Sequence, residues 1–153
     1  MRVTLPASNS STAPDPEYGP VDRRVSARPQ ILLIVDDQDD LRRMWRFWLG
    51  LWNFRVVEAR DGLEALVSTQ TQHPIAIVMD LWMPRLDGLA AVRRIKASRE
   101  TADIPIIGVT AQGLHTQISH DFAEYCDVLL EKPVDPDELL LHIRRALRRQ
   151  RHD

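Results

Sequence analysis

Cysteine is nearly absent from this chain. With only Cys126 in 153 residues, no internal disulfide can form, and nothing around that residue suggests a thiolate metal site. Such usage fits a reducing compartment. Long apolar runs are missing too: the longest are strand-length, far short of the ~20 residues that a membrane helix requires, and the amino terminus has no charged-then-apolar signal pattern. A soluble, cytoplasmic protein without a membrane partner is therefore expected. Charge of one sign is also lacking. The formal net charge of −2 gives no overall pull towards nucleic acid or anionic lipid. Size bounds the rest, since 153 residues suffice for one domain with a real core and not for two of ordinary size.

Residues 1–30 stand apart in composition. Ser8 to Ser11 is a polar run, prolines recur at Pro6, Pro14, Pro16, Pro20 and Pro29, and apolar residues follow no period. A segment of this kind cannot bury enough surface to offset the entropy of ordering it. It is expected to be a disordered tail, and it offers no recognised docking motif.

From Ile31 onward strand and helix patterns alternate at short intervals. The apolar run 31–35 reads as a buried strand ending in Asp36-Asp37, and Asp39 and Asp40 open a helix to about Trp52, because acidic residues suit the positive end of the helix dipole. Asn53 tolerates positive φ and can end it. Residues 55–58 give a second strand, and Asp61 with Glu64 forms a capping box for a helix to about Thr71. Pro74 and the run 75–79 lead to Asp80, a third strand dense in β-branched residues. Asp87 caps a helix through Ile95. A fourth strand spans 104–109 and ends at Thr110, a weaker helix pattern covers 114–125, and a fifth strand, 127–130, finishes at Glu131-Lys132-Pro133. Asp135, Pro136 at the first helical position and Glu138 start the closing helix.

Five strands alternating with five helices on short connections imply a doubly wound parallel α/β sheet with helices on both faces. In such a sheet all strand carboxyl ends lie on one edge, where open α/β folds bind ligands. Asp36-Asp37, Asp80, Thr110 and Lys132 therefore converge. Three carboxylates brought close raise one another's pKa unless a divalent cation reverses the local balance. An all-oxygen set with no Cys or His suggests a hard ion, most simply Mg²⁺, which favours a phosphate as a further ligand. Lys132 supplies a point charge and Thr110 a hydroxyl donor, both suited to phosphoryl oxygens. With no His or Cys nucleophile in the cluster, Asp80 is the candidate for an aspartyl phosphate.

Together, Asp36-Asp37, Asp80 before Met83-Pro84 and Asp87-Gly88, Thr110-Ala111, and Lys132-Pro133 closely resemble the receiver domain of two-component response regulators, the family that includes the chemotaxis regulator CheY. The resemblance covers about residues 31–149, leaving 150–153 as a short end with no output domain attached. It implies a flavodoxin-like (βα)5 fold in strand order 2-1-3-4-5 and a phosphoacceptor role for Asp80, with a histidine kinase or a histidine phosphotransfer protein as donor. It also implies that Asp37, Asp80 and the backbone carbonyl of Trp82 bind Mg²⁺ directly, with Asp36 acting through water. Lys132 would pair with the phosphate, Thr110 would turn towards it as a switch, and the Lys132-Pro133 bond would be cis. On that reading the chain is a signalling module and not an enzyme, a stand-alone receiver that changes its surface on phosphorylation.

The chain departs from the family pattern at several points. The position three before the lysine, often aromatic, is Leu129. Tyr125 stands where a glycine commonly ends the fourth helix. Trp82 and Gln112 occupy two positions that tune access of the hydrolytic water, and Trp82 could shield an acyl phosphate. In the first helix Leu41, Met44, Trp45, Trp48, Leu49 and Trp52 recur at helical spacing with Phe47 and Leu51 off the stripe, an apolar arc wider than one sheet face needs. Its margin, the Trp45/Trp48 region beside Arg42, Arg43 and Arg46, has the composition of an interface, and the resemblance places phosphodonor docking near it. The basic run Arg144, Arg145, Arg148, Arg149 and Arg151 suits a helix end. No helix-turn-helix follows it, so direct nucleic-acid binding is not expected. Dimerisation through the last helix and strand, seen in many relatives, stays open. So does a second reading, a small Mg²⁺-dependent phosphatase or phosphotransferase resembling haloacid dehalogenases, with Asp37 and Asp39 as nucleophile and acid.

Overall fold

The computed structural model describes residues 29–83 and 85–152. The tail expected at 1–30 thus falls largely outside the described residues, although Gln30 itself already belongs to the first strand. Ten elements alternate: β1 (Gln30–Val35), α1 (Asp39–Leu51), β2 (Phe54–Ala59), α2 (Gly62–Gln72), β3 (Ala76–Asp80), α3 (Gly88–Ala97), β4 (Ile106–Thr110), α4 (Gln117–Ala123), β5 (Val128–Glu131) and α5 (Pro136–Gln150). All strand pairs are parallel, in the order β2-β1-β3-β4-β5.

Side-chain alternation along the strands divides the core into two layers. Leu32, Ile34, Ala76, Val78, Ile107 and Val109 face α1 and α5, where Trp45, Leu49, Leu139 and Ile143 meet them. Their neighbours Leu33, Val35, Ile77, Met79 and Ile106 face α2, α3 and α4, against Ala65, Val92, Ile95 and Phe122. β3 and β4 are buried at every position. Central strands covered on both faces must be apolar throughout, which explains their unbroken runs.

Caps set the helix starts. Asp61, Asp87, Thr116 and Asp135 accept from the backbone N–H groups of Glu64, Ala90, Ser119 and Asp137 respectively. Two expectations shift here. The Glu64 carboxylate bonds to the Arg60 N–H at 2.9 Å, one residue upstream of the reciprocal partner in a capping box, because it also pairs with the Arg60 side chain. The weak fourth helix shrinks to Gln117–Ala123, since the Thr116 hydroxyl caps it late. Asn53 after α1 has φ 66° and His73 after α2 has φ 47°. The Lys132-Pro133 bond is cis. Among the described residues no helix is long and apolar enough to cross a membrane.

The start of α3 is pressed against the end of β3. Gly88 donates to the Leu81 carbonyl at 3.0 Å, and a Cβ on Gly88 would overlap the Asp80 carbonyl oxygen and sit 2.9 Å from the Leu81 Cα. Both obstacles are backbone and cannot swing aside. Gly88→Ala is expected to cost about 1–3 kcal/mol of overpacking, read as a lower urea midpoint at unchanged slope. An unchanged midpoint would show that the two segments part freely.

Candidate functional site

The carboxyl edge of the sheet gathers the side chains that the sequence placed there. Asp36 follows β1, Asp80 ends β3, and both are 3% exposed, while Asp37 reaches solvent. Carboxylate oxygens of all three lie within 4.8 Å of one another. Lys132, just past β5, reaches across two strands: its Nζ donates to Asp36 Oδ2 at 2.7 Å and to Asp80 Oδ2 at 3.2 Å. The remaining oxygens have backbone donors, Gln38 N–H to Asp36 Oδ1 at 2.8 Å and Trp82 N–H to Asp80 Oδ1 at 3.2 Å.

These groups perturb one another's protonation. Burial pushes the Asp80 carboxyl up to about 6, assisted by the Asp36 charge and opposed by Lys132 and the Trp82 N–H. For Lys132 burial acts downward, but the Asp36 hydrogen bond and the charges of Asp80 and Asp36 leave it raised above its ordinary value. One ammonium thus serves two buried carboxylates and a third exposed one. The surplus is negative, and the donor set is entirely oxygen, which fits a hard divalent cation bound from the Asp37 side.

Thr110, at the end of β4, is fully buried. Its hydroxyl donates to the Gln112 carbonyl at 2.9 Å and accepts from the Gln112 N–H at 3.1 Å. It is occupied within its own loop and does not bond the carboxylates. The Trp82 residue is 38% exposed. Leu129, in the position often aromatic, is half-buried and packs into the layer containing Phe122, and Tyr125 carries the Arg93 guanidinium 5.8 Å from its ring centroid.

Three expectations need correction. Asp39 pairs with Arg42 in the first turn of α1 and is not among the three gathered carboxylates, while Asp135 serves as the cap of α5. The dehalogenase-like pairing of Asp37 with Asp39 thus finds no support. Trp45 is a core residue, 7% exposed, because it lies on the α1 stripe that meets the sheet, and it cannot form part of an interface margin. Arg42, grouped with the surface arginines, is also buried: it donates to the Asp36 carbonyl at 2.7 Å and sits 3.4 Å from Glu58. No sequence pattern marked that role, because it depends on which side of α1 faces the end of β1. Also unforeseen is Arg85, with φ 64°, which pairs with the buried α2 cap Asp61, a contact between separate loops that no local pattern encodes.

A family model described as the response regulator receiver domain matches residues 32–144. The chain belongs to that family. This receiver domain is 38% identical over 118 residues to a protein named "Probable transcriptional regulator ycf27" from Cyanophora paradoxa, covering 77% of this chain and 48% of that protein. It is 33% identical over 118 residues, with the same coverage, to the transcriptional regulatory protein SrrA of Staphylococcus aureus. The chain spans about half the length of these curated relatives. Among solved structures, it resembles a response regulator from Chloroflexus aurantiacus with TM-score 0.73 at 31% identity, over 79% of this chain and 99% of that one. A CheY-like receiver domain protein from Methanospirillum hungatei shares the fold with TM-score 0.76 at 22% identity, over 82% of this chain and 98% of that one. The protein is therefore a receiver of the two-component type, a signalling domain with the CheY-like strand order.

The position of Asp80 carries a pH signature. Its carboxyl is raised from 3.8 to about 6, so the folded state holds a proton that the unfolded state has released between those values. Stability from this group is full below about pH 4 and is lost as pH rises through about 6. In metal-free buffer, Asp80→Asn is expected to exceed the parent chain by about 1–3 kcal/mol at neutral pH, with the gap closing near pH 4. Urea denaturation of both chains across that range checks it, and a gap independent of pH would contradict the burial argument.

Proposed function

We propose that this receiver accepts a phosphoryl group on Asp80 from a phosphohistidine of a histidine kinase or a histidine phosphotransfer protein. An Asp80 carboxylate oxygen attacks phosphorus, the P–N bond breaks, and its electron pair returns to the imidazole, which is protonated as it leaves. The product is an acyl phosphate on Asp80. The observation that carries the reading is Lys132 bridging Asp36 and Asp80 at 2.7 and 3.2 Å with Asp37 beside them. A cation already shared by two oxygens can follow a phosphoryl oxygen without leaving the site.

Asp37, Asp80 and the Trp82 carbonyl would hold Mg²⁺, with Asp36 acting through water. When bound, the ion supplies positive charge against the gathered carboxylates and the phosphoryl oxygens. Of this chain's own groups, Asp80 is the nucleophile, Lys132 orients and neutralises, and Thr110 must leave its bonds to Gln112 to reach the phosphate. That exchange is the switch through which the β4 end reports phosphorylation. The exposed margin of α1, Phe47 and Trp48, is where the donor docks. Gain of the phosphoryl group then alters the surface that a downstream protein reads.

Intact mass after incubation with acetyl phosphate tests the reading in the parent chain, Asp80→Asn and Asp39→Asn. One phosphoryl adduct is expected on the parent chain and Asp39→Asn, dependent on Mg²⁺, and none on Asp80→Asn. Persistence of the adduct in Asp80→Asn would sink the assignment.

A further inference from the structure

The outer face of α1 is apolar where a solvated helix would be polar. Phe47 and Leu51 are each 62% exposed and Trp48 is 39% exposed. Phe47 meets Trp48 edge-on at 5.7 Å, and Trp48 stacks with Trp52 at 6.3 Å, so the rings form one continuous surface and not scattered side chains. Exposed Arg43 and Arg46 lie on the same helix and exposed Arg55 on β2, Arg46 standing 3.5 Å from Glu58. Gly50 lies in the same helix with nothing within 4 Å of where a Cβ would be. Glycine weakens a helix interior, φ is not positive here, and no neighbour in the described structure needs the space. A bare stretch of backbone beside Leu51 lets another chain segment lie close.

The connectivity indicates which segment. Gln30 pairs with Phe54, and α1 ends at Leu51, so residues 1–29 join the domain beside the carboxyl end of this helix. Within them, Asp15-Pro16-Glu17-Tyr18-Gly19-Pro20-Val21-Asp22 is acidic and carries one aromatic side chain, one branched aliphatic and two prolines. Extended proline segments lose little entropy on docking against aromatic surfaces. Seven residues, 23–29, connect it to β1 and span about 25 Å when extended, whereas the α1 face from Arg43 to Leu51 is about 12 Å long. The basic Arg23, Arg24 and Arg28 fall in that connector, outside the acidic segment.

We propose that residues 15–22 of this chain dock in cis across the outer face of α1, with Tyr18 against Phe47 and Leu51 and the carboxylates against Arg43, Arg46 and Arg55. The tail then competes with the phosphodonor for this face. This contact does not depend on phosphoryl transfer.

Paramagnetic relaxation in the full chain tests it. A maleimide nitroxide is placed on Gly19→Cys with Cys126 left in place, since that thiol is half-buried and burial pushes its pKa up to about 12, and labelled parent chain is the control. In ¹⁵N-labelled, spin-labelled protein, the amide signals of Phe47 to Trp52 are expected to fall to less than half their intensity after label reduction. They should stay sharp when ¹⁵N protein without label is mixed with unenriched labelled protein. Adding Tyr18→Ala, or Phe47→Ser with Leu51→Ser, should restore the signals. Absence of broadening would overturn the proposal. So would equal broadening in the mixed sample, which would assign the face to a second copy of the chain.

Discussion

One ammonium group holds the business edge of the sheet together. Lys132 is the cationic partner of both buried carboxylates, Asp36 and Asp80, and they come from strands on the opposite side of β4. Were that charge absent, two carboxylates would remain buried without a counter-ion, a condition costing several kcal/mol per group. The sheet order makes the arrangement possible: β1, β3 and β5 direct their carboxyl ends to one edge, with β4 delivering Thr110 between them. Arg42 adds a second layer, tying the Asp36 carbonyl to Glu58, so the residue that receives the lysine is anchored from behind.

The charge balance also explains why the site is poised and not settled. The cluster carries more negative charge than its lysine can neutralise, and burial raises the Asp80 carboxyl to about 6. A site in this condition favours the arrival of positive charge. Thr110, meanwhile, is satisfied by Gln112, so any other partner for its hydroxyl must compensate for the loss of both bonds.

Much of this was legible beforehand, for reasons particular to certain residues. The buried strands announce themselves because β3 and β4 are covered on both faces, and the strand-end chemistry of Asp36, Asp80, Thr110 and Lys132 converges once the sheet is parallel. Caps at Asp61, Asp87 and Asp135 were visible because they are local. What stayed hidden depends on three-dimensional direction. Trp45 and Trp48 are both aromatic members of one apolar arc, yet helix rotation puts the first in the core and the second at the surface. Arg42 differs from Arg43 and Arg46 only by which way it faces, and the pairing of Arg85 with Asp61 joins positions 24 apart in sequence.

That last contact bears on the loop following Asp80. Leu86 accepts from the Gly62 N–H at 2.9 Å, Arg85 clasps the cap of α2, and Gly88 abuts the β3 end. The segment 85–88 beside the carboxylates is thereby fastened at three points to neighbouring elements. Its conformational entropy is surrendered during folding and need not be surrendered at the moment of binding. In thermodynamic terms the loop is preorganised, and a ligand at this edge is relieved of the ordering penalty that a slack loop would impose.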